Sequence, residues 1–134
     1  MPVNPFPDLL TYALLAPLML RVTAAAFFAY LATHHFRNKK AAAPELSILN
    51  QHAAVFALGI YALIEALVAV GLFLGLYTQI AALVGFVICL KVLFLRRGLH
   101  HIVPLTRSTY VVLSVICMSL LFTGAGLFAQ DWPL

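Results

Sequence analysis

Two charged residues lie near the middle of long apolar stretches of the sequence, and they are its clearest candidates for chemistry. Arg21 lies in the first such stretch and Glu65 in the second. A charge at the centre of a membrane helix costs ~2.5–3.5 kcal/mol or more on insertion scales. A guanidinium that meets a carboxylate offsets this cost through charge-assisted, paired hydrogen bonds. We therefore expect Arg21 and Glu65 to form a buried ion pair that faces the protein interior.

Tyr61 extends this candidate site. It precedes Glu65 by one helical turn, so its hydroxyl is expected to donate to the Glu65 carboxylate. The sequence leaves two interpretations of the Arg21–Glu65 pair and Tyr61 open. Buried ion pairs can fix the register of two helices, and ionisable residues within a membrane also mark proton or quinone sites. No residue is assigned a catalytic role.

The histidines offer a second kind of site. Haem b in a helical bundle needs two imidazoles at one depth, and the pairing that could supply them is His35 or His34 with His52. No histidine lies inside a predicted span, however, so we expect neither a metal site nor a confidently assigned cofactor. All five histidines lie on one predicted side of the membrane: His34, His35, His52, His100 and His101.

The two cysteines are predicted in different helices. Cys89 and Cys117 lie ~18 Å from the outer ends of their helices, so they could meet if their faces agree. Two cysteines are too few for a disulfide framework. We interpret both as small apolar residues of a helical core.

Composition sets the class of protein that must position these residues. Of 134 residues, 64% are hydrophobic and 9% are charged, whereas soluble domains have about 45–50% and about 25%. The mean hydropathy is +1.05. Too few polar side chains remain to cover a soluble surface. These values exclude a cytosolic enzyme, a nucleic-acid-binding protein and a disulfide scaffold.

Four apolar stretches are each long enough to cross a bilayer as a helix. None alternates apolar and polar residues as a barrel strand would. The sequence therefore predicts an all-α membrane protein, a single-domain antiparallel bundle of four transmembrane helices. The stretches are residues 9–32, 53–74, 77–95 and 109–129.

Basic residues predict the orientation of the bundle. The connections after the first and third spans share one side, and all six Lys and Arg residues of the connections lie there. The positive-inside rule then places both chain termini on the outer, periplasmic side of a bacterial-type inner membrane. The charge therefore contacts lipid headgroups rather than nucleic acid. The six residues are Arg37, Lys39, Lys40, Arg96, Arg97 and Arg107.

Small residues predict close helix packing. Gly71 and Gly75 form a GxxxG motif at the end of the second span, and Gly124 and Gly126 lie near the end of the fourth. Such residues let helix backbones approach closely, within a bundle or against another subunit. A tight turn after Gly75 predicts that the second and third helices form an antiparallel hairpin.

Several of these segments together resemble the DoxX family of small four-helix membrane proteins. The resemblance implies a link to respiratory or sulfur redox chemistry, because family members include subunits of quinol oxidase and of thiosulfate:quinone oxidoreductase complexes. A quinone is the cofactor that it implies. The segments that carry the resemblance are Leu20-Arg21, Glu65, Val70–Thr78, Ala81–Leu83, Gly124–Gly126 and Asp131.

Two function classes follow from these observations. The first is a small integral membrane subunit of a larger, redox-linked complex, with a structural or assembly role and no catalysis of its own. The second is a quinone-reactive oxidoreductase subunit with Arg21 and Glu65 near the quinone head group. Proton transfer by Glu65 requires a carboxylate that can be protonated, whereas a nearby guanidinium would keep it charged. The quinone-reactive enzyme is therefore the second interpretation. A transporter is a third interpretation.

Overall fold

The computed structural model describes residues 15–46, 50–95 and 103–124. Within these ranges the chain forms four α-helices and one short 3-10 helix, without strands, so the predicted all-α fold is confirmed. The α-helices are α1 (Leu15–Ala42), α2 (Gln51–Leu74), α3 (Thr78–Leu95) and α4 (Arg107–Thr123), and the 3-10 helix is Ala43–Glu45.

Helix α1 continues ten residues beyond the predicted end at residue 32. The added segment, residues 33–42, contains no glycine or proline, and its Ala, Lys and Arg residues favour the helix. Pro44 follows shortly after its end. Lys39 and Lys40 occupy its last turn, where cations interact well with the helix dipole. At 28 residues α1 is ~42 Å long. The predicted first connection is therefore largely helical.

The fourth helix ends earlier than predicted. Helix α4 stops at Thr123, and Gly124 follows with φ 73°. Residues 125–129 of the predicted fourth span lie outside the described residues. So do residues 9–14, the predicted start of the first span. Thr106 caps the other end of α4 by accepting a hydrogen bond from the Thr109 backbone, as N-cap threonines commonly do.

A three-residue turn joins α2 to α3. Gly75 adopts a left-handed conformation with φ 69°, which glycine reaches without a Cβ clash. The Leu76 amide donates to the Gly71 carbonyl at 3.0 Å. Gly71 itself lies close to α3, because a Cβ there would be 3.3 Å from the Ala81 Cβ. The predicted antiparallel hairpin is confirmed.

The four helices pack around one core. Helix α1 contacts α2 and α4, and α3 contacts α2 and α4. Among the glycines within the described helices, Gly85 of α3 is the most enclosed: a Cβ there would lie 2.8 Å from Cζ of Phe28 and 3.3 Å from Sγ of Cys117. The fully buried residues come from every helix and include Phe28, Leu31, Leu72, Cys89, Leu113, Cys117 and Leu120.

Large apolar side chains also cover the outside of the helices. Contiguous apolar surface of this kind is typical of contact with lipid or with another protein. Helices α1 and α2 are long and apolar enough to cross a membrane, whereas α3 and α4 are shorter apolar helices. Exposed examples from all four helices are Met19, Phe36, Phe56, Leu67, Phe73, Phe94 and Phe122.

Candidate functional site

A histidine and a glutamate form a buried pair between α1 and α2. The Nδ1 atom of His35 lies 2.6 Å from Oε2 of Glu65. The two residues are only 3% and 1% exposed. With Glu65 ionised, His35 donates the hydrogen bond through Nδ1–H; with Glu65 protonated and the ring neutral, the carboxyl can donate to Nδ1. The pair can therefore gain or lose one proton and keep its hydrogen bond.

The predicted pairing of Arg21 with Glu65 is corrected by this contact. Arg21 precedes His35 by 14 residues on α1, which is ~21 Å along the helix axis. Because His35 contacts Glu65 directly, Arg21 lies at a different level of the bundle. Arg21 is nevertheless buried, at 2% exposure. The structure thus keeps both interior charges but does not bring them together.

The error arose from the predicted end of the first span. If the first span ends at residue 32, His35 belongs to the polar connection. Arg21 and Glu65 then lie at similar depths in the membrane. Helix α1 instead continues, and its buried face repeats through Phe28, Leu31 and His35. This spacing of three and four residues is the signal for one helix face. Following it for one more turn would have placed His35 in the interior.

Tyr61 lies beside the pair, as predicted, but contacts it differently. Its ring packs edge-on against the His35 ring, with centroids 5.3 Å apart. Among the described residues, its contact with the pair is this ring packing rather than the predicted hydrogen bond to Glu65. Tyr61 therefore orients the imidazole of His35.

Lys91 brings α3 to the same site. Its Nζ lies 4.8 Å from the centroid of the Tyr61 ring, within the range of a cation–π contact. The ammonium also acts electrostatically on Glu65. From the surface inward, the site therefore consists of exposed Lys91, half-buried Tyr61 and the buried His35–Glu65 pair.

The two cysteines lie on the neighbouring interface of α3 and α4. Both are free thiols and fully buried. The Cys117 Sγ lies beside Gly85, one turn before Cys89, at 3.3 Å from the position that a Cβ there would occupy. Their close packing among apolar side chains agrees with the predicted role as core residues.

His35 and His52 lie too far apart to form the alternative haem site together. His52 is exposed in the first turn of α2, 13 residues and ~20 Å along the axis from Glu65. Since His35 contacts Glu65, His35 and His52 cannot share one iron. Within the described ranges, no three His, Cys, Asp or Glu residues group as metal ligands. His100 and His101 lie outside those ranges.

The predicted packing glycines have different roles. Gly71 mediates the contact with α3, while Gly75 ends α2 in the left-handed turn. Gly124 ends α4, and a Cβ there would meet no atom within 4 Å. Gly126 lies outside the described residues. A closer contact than that at Gly71 is made at Gly85, which the GxxxG pattern does not include.

Comparison of the chain with protein-family models, with curated proteins and with solved structures finds no match. The resemblance to the DoxX family therefore stays a hypothesis that depends on individual residues.

Proposed function

We propose that the chain is a multi-pass protein of a bacterial-type inner membrane, with both termini on the outer side. The apolar exterior of all four helices and the lengths of α1 and α2 support this placement. The basic residues support the orientation, because Lys39 and Lys40 end α1 and Arg107 begins α4. In a four-span bundle these ends share one side, which the positive-inside rule assigns to the cytoplasm.

Within this placement, the proposed function is that of a proton-exchanging subunit of a redox-linked membrane complex. The observation that carries it is the buried hydrogen bond of 2.6 Å between His35 and Glu65. Glu65 is 14 residues from the start of α2 and nine from its end, or ~21 and ~13 Å. Ionisable side chains this far from both ends of a membrane helix usually have a function.

The position of Arg21 favours proton exchange over a purely structural role. The sequence ranked the quinone-linked enzyme second, because a guanidinium at Glu65 would have held the carboxylate charged. His35 is the neighbour instead, and histidine changes its protonation more readily than any other side chain near neutral pH. The argument against the quinone-linked enzyme, a guanidinium next to Glu65, therefore no longer applies.

The substrate class that fits this chemistry is a quinol, which the resemblance to DoxX also implies. Oxidation of a quinol to a quinone releases two electrons and two protons. In the proposal, the electrons pass to a redox centre of another subunit of the complex. The His35–Glu65 pair accepts one of the protons, the second proton passes to solvent water, and Tyr61 keeps the imidazole oriented.

A structural subunit is the second candidate. It is favoured by the enclosure of His35 and Glu65, since a hydrogen-bonded polar pair between two helices can fix their register. In this case the protein assists assembly of the complex and takes no part in proton transfer.

Glu65→Gln separates the two candidates. The amide keeps the size of the side chain and can hydrogen-bond to His35, but it cannot take up a proton. Complexes from cells with wild-type protein, Glu65→Gln or the control Glu45→Gln are isolated in mild detergent. Subunits are identified by mass spectrometry, and quinol oxidation is assayed.

Proton exchange predicts that Glu65→Gln assembles normally but oxidises quinol about 100-fold more slowly, the lower end of what a positioned acid or base commonly contributes. Equal rates in all three complexes would contradict it and favour the structural role. Absence of the protein from the membrane fraction would contradict the membrane placement as well.

A further inference from the structure

His35 contacts another aromatic ring besides that of Tyr61. The rings of His34 and His35 pack edge to face, with centroids 5.7 Å apart and planes at 83°. His34 is half-buried, whereas His35 is enclosed. The contact therefore connects the buried His35–Glu65 pair to an ionisable side chain that reaches the protein surface.

The chemistry of the side chains distinguishes His34 from Tyr61. A tyrosine hydroxyl keeps its proton near neutral pH, so Tyr61 can orient the His35 imidazole but does not readily exchange a proton with it. Histidine is the side chain that gains and loses a proton in this pH range. Of these two neighbours of His35, His34 is therefore the one suited to pass a proton onward.

Polar side chains continue from His34 along one face of α1. Tyr30 and Asn38 lie one helical turn before and one turn after His34, so the three share this face. The exposed Tyr30 ring lies 6.3 Å from the His34 ring, centroid to centroid. Asn38 is half-buried, and its amide can hold water through both donors and an acceptor. The face therefore offers polar contacts beyond His34.

His34 lies nearer to the basic end of α1 than to its start. Ala42, the last residue of α1, follows His34 by eight residues, or ~12 Å along the axis, whereas Leu15 is 19 residues and ~28 Å away. Lys39 and Lys40 occupy the last turn. A proton that leaves through His34 thus has its shorter way toward the end that the proposed orientation places in the cytoplasm.

We propose that His34 relays protons from the buried His35–Glu65 pair to water at the cytoplasmic end of α1. The relay rests on the proton exchange proposed above and identifies its exit. After the pair has taken up a quinol proton, His35 is an imidazolium with Nδ1–H directed to Glu65. It gives the proton on Nε2 to a ring nitrogen of His34, directly or through one water molecule. His34 then releases a proton to water, and both rings are neutral again.

His34→Gln tests the relay. Glutamine is polar and favours the helix, but its amide cannot take up a proton. His52→Gln is the matched control, because His52 is exposed in the first turn of α2, ~20 Å from Glu65 along the axis. His34→Glu is a second test variant, since a carboxylate can also accept and release protons.

The measurement is quinol oxidation by complexes isolated in mild detergent, with and without imidazole in the buffer. Mass spectrometry checks their assembly. His34→Gln should be about 100-fold slower than wild type, as Glu65→Gln should be, because both interrupt one proton path. Imidazole, a diffusible base, should restore most of the rate of His34→Gln but leave Glu65→Gln slow. His34→Glu should be faster than His34→Gln, and His52→Gln should match wild type.

A wild-type rate in His34→Gln beside a slow Glu65→Gln would overturn the relay and leave the proposed function standing. A slow His34→Gln that neither imidazole nor the His34→Glu variant improves would also overturn it, because His34 would then only support the fold. Loss of assembly in both His34 variants would lead to the same conclusion. A wild-type rate in Glu65→Gln would overturn the proposed function and the relay together.

Discussion

The hydrogen bond between His35 and Glu65 joins two side chains that are costly to bury separately. Each is at most 3% exposed, and an unpaired polar group in such a position loses its water contacts without compensation. Tyr61 and Lys91 add an aromatic and a cationic neighbour from two helices. At the scale of residues, the site is therefore a buried, hydrogen-bonded pair, with the Tyr61 ring and the Lys91 ammonium packed beside it.

Glu65→Leu should destabilise the protein more than Glu65→Gln. Leucine leaves the His35 ring buried without its acceptor, which costs about 1–3 kcal/mol, while the amide of glutamine retains a partner for Nδ1. Thermal unfolding in one detergent, followed by circular dichroism, measures the difference. A Tm for Glu65→Leu equal to that of Glu65→Gln would show that the hydrogen bond contributes little.

At the scale of elements, glycine positions decide how closely the helices pack. Gly85 lies where Phe28 of α1 and Cys117 of α4 meet α3, whereas Gly59 faces open space. Gly75 has another function, because its left-handed backbone allows α2 to end and α3 to begin three residues later. Identical substitutions at these positions should therefore have different effects.

Gly85→Ala should destabilise the protein, and Gly59→Ala should not. The new methyl at residue 85 would lie 2.8 Å from the Phe28 ring, and overpacking of this kind costs about 1–3 kcal/mol. At residue 59, alanine meets no atom and gains up to about 1 kcal/mol of helix propensity. Comparison of the two unfolding temperatures checks this prediction. Phe28→Leu should partly rescue Gly85→Ala, and a lack of rescue would place the strain elsewhere.

Gly75→Ala should destabilise the hairpin of α2 and α3. At φ 69°, a side chain other than glycine costs about 1–2 kcal/mol, although asparagine tolerates this conformation better than alanine. We expect the order of thermal stability to be wild type, Gly75→Asn, Gly75→Ala. Equal stability of the three proteins would mean that the turn can relax to another backbone conformation.

At the scale of the whole molecule, the protein has an apolar core and an apolar exterior. Phe28, Leu31 and Leu72 are enclosed, while Phe56, Phe94 and other large side chains are exposed. In water such a surface would associate; in a bilayer it contacts acyl chains. In the proposed placement, the basic residues at the end of α1 and the start of α4 would set its direction across the membrane.

The proposed orientation predicts opposite labelling of two single-cysteine variants. Tyr77→Cys, in the turn between α2 and α3, should react with an impermeant maleimide on intact spheroplasts. Lys40→Cys, at the end of α1, should react only after permeabilisation. Both parent residues are exposed, and the native Cys89 and Cys117 are buried, so the unmodified protein is the control. The reverse labelling pattern would contradict termini on the outer side.

The amino-acid sequence by itself determined the helical class and the α2–α3 hairpin. Apolar residues in long uninterrupted stretches have few other solutions, and Gly75 signals the end of α2 locally. It also identified Glu65 and Tyr61 as site residues, because a polar side chain within an apolar stretch is visible without knowledge of its neighbours.

Only the tertiary structure decided the partner of Glu65. Which residue of α1 faces it depends on where α1 ends and on how far α1 slides along α2, and both are set by packing between distant residues. The true length of α1 placed His35, rather than Arg21, at the level of Glu65. The closest contact, at Gly85, likewise depends on Phe28 and Cys117 from two other helices. The spacing of residues in the sequence shows which side chains share one face of a helix. Which of them lie opposite each other on two helices depends on how the helices pack together.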